Sequence, residues 1–76
     1  MDIKLYGADW CIDCRVMKSF LDKKELDYQY IDITKDKTAV EIIKKINNGK
    51  KIIPTVIING ISYSNPGILN LSQIIR

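Results

Sequence analysis

Residues 3–21 read IKLYGADWCIDCRVMKSFL, and two periodicities meet inside them. Ile3-Lys4-Leu5-Tyr6 alternates as a short strand does, and Gly7-Ala8-Asp9 breaks it. From Cys11 onward the apolar positions are Ile12, Val16, Met17, Phe20 and Leu21. Those gaps of three and four make one helical face, with Arg15, Lys18, Asp22 and Lys23 mostly on the other. Cys11 stands where strand gives way to helix, and Cys14 lies one turn in.

Working outward, Tyr28 to Ile33 is rich in β-formers and predicts a second strand. Thr34 or Asp36 can cap a second helix, whose apolar face is Ala39, Ile42, Ile43 and Ile46 and which Asn48-Gly49 stops. Thr55-Val56-Ile57-Ile58 and Ile61-Ser62-Tyr63 flank Asn59-Gly60, a strong hairpin signal because a type I′ turn needs positive φ at both central positions. Asn65-Pro66 predicts an N-cap and a first helical proline, ahead of a third apolar face made by Ile68, Leu69, Leu71, Ile74 and Ile75. The order is β-α-β-α-β-β-α. The first β-α-β suits a right-handed parallel crossover, and the hairpin must be antiparallel. The expectation is an α/β domain spanning residues 1–76, with one four-stranded mixed sheet flanked by three helices.

With 76 residues the chain has room for one domain. Its 46% hydrophobic and 28% charged residues fit a globular rather than a disordered chain. No apolar run approaches the ~20 residues of a membrane-spanning helix. The N-terminus reads straight into a strand with no export signal, so a cytoplasmic location is expected. The net charge of +3 comes with ten lysines spread along the chain, including the pairs 23–24, 44–45 and 50–51. A nucleic-acid surface wants clustered charge and stacking aromatics, so none is expected.

Histidine is absent, which excludes histidine-based catalysis, and two cysteines cannot complete a four-ligand zinc site; no metal-ligating residue is assigned. A disulfide across so short a loop constrains the unfolded chain little, so Cys11-Ile12-Asp13-Cys14 points to chemistry rather than stapling. Three residues apart on a helix, the sulfurs share a face. Cys11 also lies near unsatisfied helix N–H groups and the positive end of the dipole, which favours thiolate over thiol. A thiolate attacks a disulfide sulfur and a neighbouring thiol resolves the adduct, so Cys11 is the candidate nucleophile and Cys14 the resolving thiol. The same motif can be half of a metal site: at a dimer interface, four thiolates could hold zinc or an iron–sulfur cluster.

In Trp10-Cys11-Ile12-Asp13-Cys14, Lys51-Ile52-Ile53-Pro54-Thr55, the Asn59-Gly60 hairpin and Ser64-Asn65-Pro66, the chain resembles the glutaredoxin family, in particular its short mycoredoxin-like and NrdH-like members. The resemblance covers essentially the whole chain. It implies a thioredoxin-like fold with Pro54 in a cis peptide facing the Cys11 sulfur; without it, Pro54 reads as an ordinary trans proline opening a strand. It also implies that Ile53 pairs with the backbone of a bound thiol, that Lys51 and Lys50 meet a substrate carboxylate, and that backbone N–H groups of Ser64, Asn65 and Gly67 receive a far carboxylate. Read without it, the lysines are a solvated loop and Asn65 a helix cap. Trp10 reads as an apolar lip beside the sulfur or as a ring packed on the domain, and Tyr6 and Tyr63 as sheet packing.

Two departures from the family pattern stand out. Ser64-Asn65-Pro66-Gly67 replaces a Gly-Gly with a nearby acid, and Pro66 brings no N–H. Ile12-Asp13 replaces Pro-Tyr between the cysteines. Asp13 either favours the helix start or, as a negative charge, opposes a nearby thiolate. The reading is a monomeric thiol–disulfide oxidoreductase acting on protein disulfides or on mixed disulfides with small thiols. It needs no tightly bound cofactor. A low-molecular-weight thiol (glutathione or an analogue) or a flavin-dependent thioredoxin reductase would restore the dithiol.

Overall fold

The computed structural model describes residues 1–75; Arg76, the last residue of the expected domain, lies outside the described residues. The elements follow the predicted order: β1 Ile3–Gly7, α1 Ile12–Lys23, β2 Gln29–Asp32, α2 Lys37–Ile46, β3 Thr55–Ile58, β4 Ile61–Ser64 and α3 Gly67–Ile75. They form one mixed sheet in the order β2-β1-β3-β4, with β1 and β2 parallel and the other pairs antiparallel.

Strand alternation sorts the core onto two faces. Ile3 and Leu5 of β1 and Val56 and Ile58 of β3 pack with Met17 and Leu21 of α1 and Leu71 and Ile75 of α3. Tyr6, on the opposite face, packs with Ile33 and with Ala39 and Ile43 of α2, and Ile53 and Ile57 lean on this second cluster. Two helices thus cover one side of the sheet and one helix the other.

Local chemistry explains the boundaries. Asp36, not Thr34, caps α2: its carboxylate accepts from the Ala39 N–H at 3.2 Å. Thr34 instead bonds Asp32 through both its amide and its hydroxyl, closing a turn after β2. Asn48 and Gly49, at φ 56° and 88°, end α2, and Asn59 and Gly60, at 51° and 85°, make the expected hairpin.

The start of α3 corrects the sequence reading. Asn65 is not an N-cap and Pro66 is not the first helical residue; the helix begins at Gly67. The Asn65 N–H turns inward to the Pro54 carbonyl at 2.7 Å. That bend takes Asn65 to φ 44°, a conformation asparagine tolerates better than most residues.

Candidate active site

Strand register assembles the site. Tyr6 of β1 pairs with Thr55 of β3, and Thr55 pairs with Ser64 of β4. The chain leaving β1 toward Cys11, the loop entering β3 through Pro54 and the chain leaving β4 toward Asn65 therefore share one end of the sheet. The Asn65 N–H bond to Pro54 ties two of these segments directly.

Cys11 is the N-cap of α1, extended at φ −85° and ψ 117°. Its Sγ accepts the Cys14 N–H at 3.3 Å, as a capping oxygen would. Its own N–H donates to the Ala8 carbonyl at 3.1 Å, and its carbonyl accepts the first α1 bond, from Arg15. Both cysteines are free; Cys11 is half-exposed and Cys14 fully buried. Burial pushes the Cys14 thiol up to about 12, and the hydrogen bond with Cys11 adds to it, whereas a backbone bond at Ala8 acts the other way. The charges of Cys11 and Asp13 contribute least. One turn of helix thus carries one sulfur open to solvent and one held as a neutral thiol inside.

Gly7 makes that burial possible. A Cβ built there would lie 2.8 Å from Cys14 Sγ and 3.0 Å from its Cβ. Beside it, the Tyr30 hydroxyl donates to Asp9 at 3.2 Å, tying β2 to the loop before Cys11. The Lys18 ammonium sits 4.1 Å from the Tyr30 ring centroid. Burial and Asp9 together raise the Tyr30 phenol above its ordinary range.

On the exposed side, Trp10 is 72% accessible and Ile12 74%, and Val16 continues the apolar rim along α1. The ring of Trp10 stands out from the domain. Lys50 and Lys51 are exposed, Ile52 and Ile53 half-buried and Pro54 buried, with the Ile53–Pro54 peptide cis. Ile53 lies just outside the paired register, which starts at Thr55.

Behind this loop is a polar chain that periodicity does not reveal. Asn47, the C-cap of α2, is buried. Its amide donates to the Ile43 carbonyl at 2.7 Å and to Thr55 Oγ1 at 3.3 Å, and its Oδ1 accepts from the Ser64 hydroxyl. Thr55 in turn donates to the Ile52 carbonyl at 2.8 Å. The Ser64 hydroxyl and the Asn65 amide are therefore both committed inside the fold. Of the residues read from the sequence, Cys11 and Cys14 come together on one helical turn, while Pro54, Ser64 and Asn65 gather at the β3 entrance. Asn47 has no part in the sequence reading, Tyr30 enters it only inside a strand, Thr55 only as a strand start and the end of the Ile53-Pro54-Thr55 motif, and Gly7 only as a strand breaker. A glycine at a strand end can mark a close approach by another group, which is the signal for Gly7.

Fold and site together define a small thioredoxin-like protein with a dithiol at a helix start. The chain belongs to the glutaredoxin family, whose model matches residues 3–62. Mycoredoxin 1 of Corynebacterium glutamicum is 40% identical over 55 residues, covering 72% of this chain and 67% of that one. Among solved structures, the thioredoxin-like protein BC3987 superposes with a TM-score of 0.85 at 27% identity, over 96% of this chain and 99% of that one. NrdH-redoxin from Escherichia coli gives 0.73 at 25%, over 84% and 82%. Family membership supports thiol–disulfide oxidoreductase activity. Among the described residues no helix is long and apolar enough to cross a membrane.

Proposed function

We propose that the protein reduces disulfides through Cys11 and Cys14. The Cys11 sulfur, as thiolate, attacks one sulfur of the substrate disulfide; a Cys11–substrate disulfide forms and the other substrate sulfur leaves as a thiolate. Cys14 then attacks Cys11 Sγ, the second substrate sulfur leaves, and the Cys14 proton passes to it. The substrate gains two electrons and the Cys11–Cys14 pair is oxidised. An external dithiol, or two small thiols, reverses that oxidation.

The observation that carries this reading is the inequality of the two sulfurs on one turn. Cys11 is reachable and accepts an N–H bond that would stabilise charge on sulfur, while Cys14 is buried and held neutral. Burial of Cys14 also argues against a metal shared between two chains, because a second chain would have to reach an enclosed sulfur.

Protein disulfides are the favoured substrates. The exposed Trp10, Ile12 and Val16 offer an apolar contact beside the sulfur. The place expected to receive a carboxylate is poor in donors: the Asn65 N–H is engaged by Pro54 and Pro66 has none. Lys51, Lys50 and the Gly67 N–H remain as groups to meet an anionic end of a substrate. No tightly bound cofactor takes part, and the protein acts as a cytoplasmic monomer.

The test is turnover of a protein disulfide by the purified protein with each donor in turn, a small thiol such as glutathione and a flavin-dependent thioredoxin reductase. Reduction with the reductase, and slower reduction with glutathione, is the expected result. No turnover with either donor, despite free Cys11, would overturn the reading.

A further inference from the structure

The polar chain behind the site loop is an unusual use of a small core. Amides are among the groups a small hydrophobic interior accommodates least well, and a buried amide is retained at no loss only when its donors and acceptor are all engaged. Asn47 meets that condition: both its donor bonds and its acceptor bond go to protein atoms, and these belong to three separate segments. Ile43 is on α2, Thr55 opens β3 and Ser64 closes β4. Through the Thr55 hydroxyl the chain continues to the Ile52 carbonyl, the residue before Ile53 and Pro54. From the other side the Pro54 carbonyl is held by the Asn65 N–H. The four residues 52–55 are thus closed on themselves by the Thr55–Ile52 bond and held from outside at Thr55 and Pro54.

We infer that Asn47 is a positioning residue. Its side chain fixes where residues 52–55 lie against the end of β1, and so how a bound disulfide is presented to Cys11. Asn47 touches neither sulfur nor substrate. It acts through Thr55 and, by the Thr55 hydroxyl, through Ile52. This rests on the reading of Ile53 as the residue that pairs with the substrate backbone.

The experiment uses the full chain with Asn47→Ala, Thr55→Val and Ser64→Ala. For each variant, kcat and KM are measured with a short peptide disulfide, alongside the alkylation rate of Cys11 by iodoacetamide. Hydrogen exchange at the Asn65 amide reports the loop without reference to activity. For Asn47→Ala, kcat/KM should fall about tenfold, mostly through KM, with alkylation within about twofold of wild type. Exchange at Asn65 should quicken while the amides between β1 and β2 keep their protection. Thr55→Val, which breaks the link to Ile52, should follow Asn47→Ala, and Ser64→Ala should do less.

Folded variants with unchanged KM and unchanged Asn65 exchange would overturn the inference. So would variants whose turnover and alkylation fall in parallel, because that marks general loosening. If Asn47→Ala does not fold, Thr55→Val carries the same expectations. A wild-type protein that is alkylated at Cys11 but turns over no disulfide sinks the proposed function instead, and the exchange measurement still decides the role of Asn47.

Discussion

The two sides of the site are held by different physics. The α1 side rests on the main chain and on shape: an N–H points at Cys11 Sγ, a missing Cβ at Gly7 admits Cys14, and an apolar helix face anchors the whole. The loop side rests mainly on side-chain hydrogen bonds, from Ser64 through Asn47 and Thr55 to Ile52, with one main-chain bond from Asn65 to Pro54 beside them. The first kind of support delivers the reactive sulfur. The second places a backbone segment that has no strand partner of its own. Chemistry is assigned to the first side and docking to the second, so perturbing each should give a different kind of defect.

The sharpest contrast lies within the α1 side. Cys11→Ser should reduce turnover by about 10³-fold or more, as loss of a nucleophile does. Cys14→Ser should still attack and accumulate a mixed disulfide, visible as added mass on the intact protein. An active Cys11→Ser beside a dead Cys14→Ser would reverse the two roles.

Gly7→Ala attacks the same side through shape alone. The new methyl must displace Cys14, because 2.8 Å to a sulfur is far inside ordinary contact. A loss of ~1–3 kcal/mol in urea unfolding is expected. Adding Cys14→Ala should recover part of it, since the closest clash is with the sulfur. Equal losses in the single and double variants would mean that the glycine serves something other than Cys14.

How much of this was legible follows the same division. The four strands, the three helices and the dithiol were readable because they depend on neighbours three or four residues apart, or on alternation along a strand. Asn59-Gly60 announced its turn by conformation alone. Asn47 looked like any polar residue at a helix end; one partner, the Ile43 carbonyl, is an ordinary helix-end acceptor, and the two that link it to the loop lie 8 and 17 residues away, so no local pattern could mark it. Asn65-Pro66 failed for the same reason. Its local signal was for a cap, but a bond to Pro54, eleven residues back in the chain, decided its conformation.

Burial of Cys14 also sets a pH dependence. Unfolded, this thiol ionises near its ordinary value of 9.0; folded, it holds its proton up to about 12. Between those values the unfolded chain has released the proton and the folded chain has not, so rising pH favours unfolding. The contribution is fully present below pH 9.0 and is lost as pH climbs to about 12. Tyr28, raised to about 12 by burial and by its bond to Asp22, titrates in the same region. The measurement is therefore the urea midpoint of the reduced wild type against that of Cys14→Ala across this range. The wild type should lose stability more steeply, and parallel curves would contradict the burial of a neutral thiol.

The smallest effect expected is at Asp13, where two influences of one carboxylate separate. It lies exposed in the first turn of α1, where a negative charge complements the helix dipole in either redox state. Toward the sulfurs it is a like charge, and its influence on Cys14 is the weakest of those acting there. Asp13→Asn removes both effects. Stability should fall by ~0.3–1 kcal/mol through the lost dipole interaction. The reduced form, relieved of repulsion on any sulfur anion, should gain relative to the disulfide, so the reduction potential should rise. Because Asp13 faces solvent, which screens its charge, the rise should stay below the ~30 mV that corresponds to ~1.4 kcal/mol. Redox equilibrium against a dithiol buffer of known potential measures it. An unchanged or lower potential would leave Asp13 with only its place at the helix start.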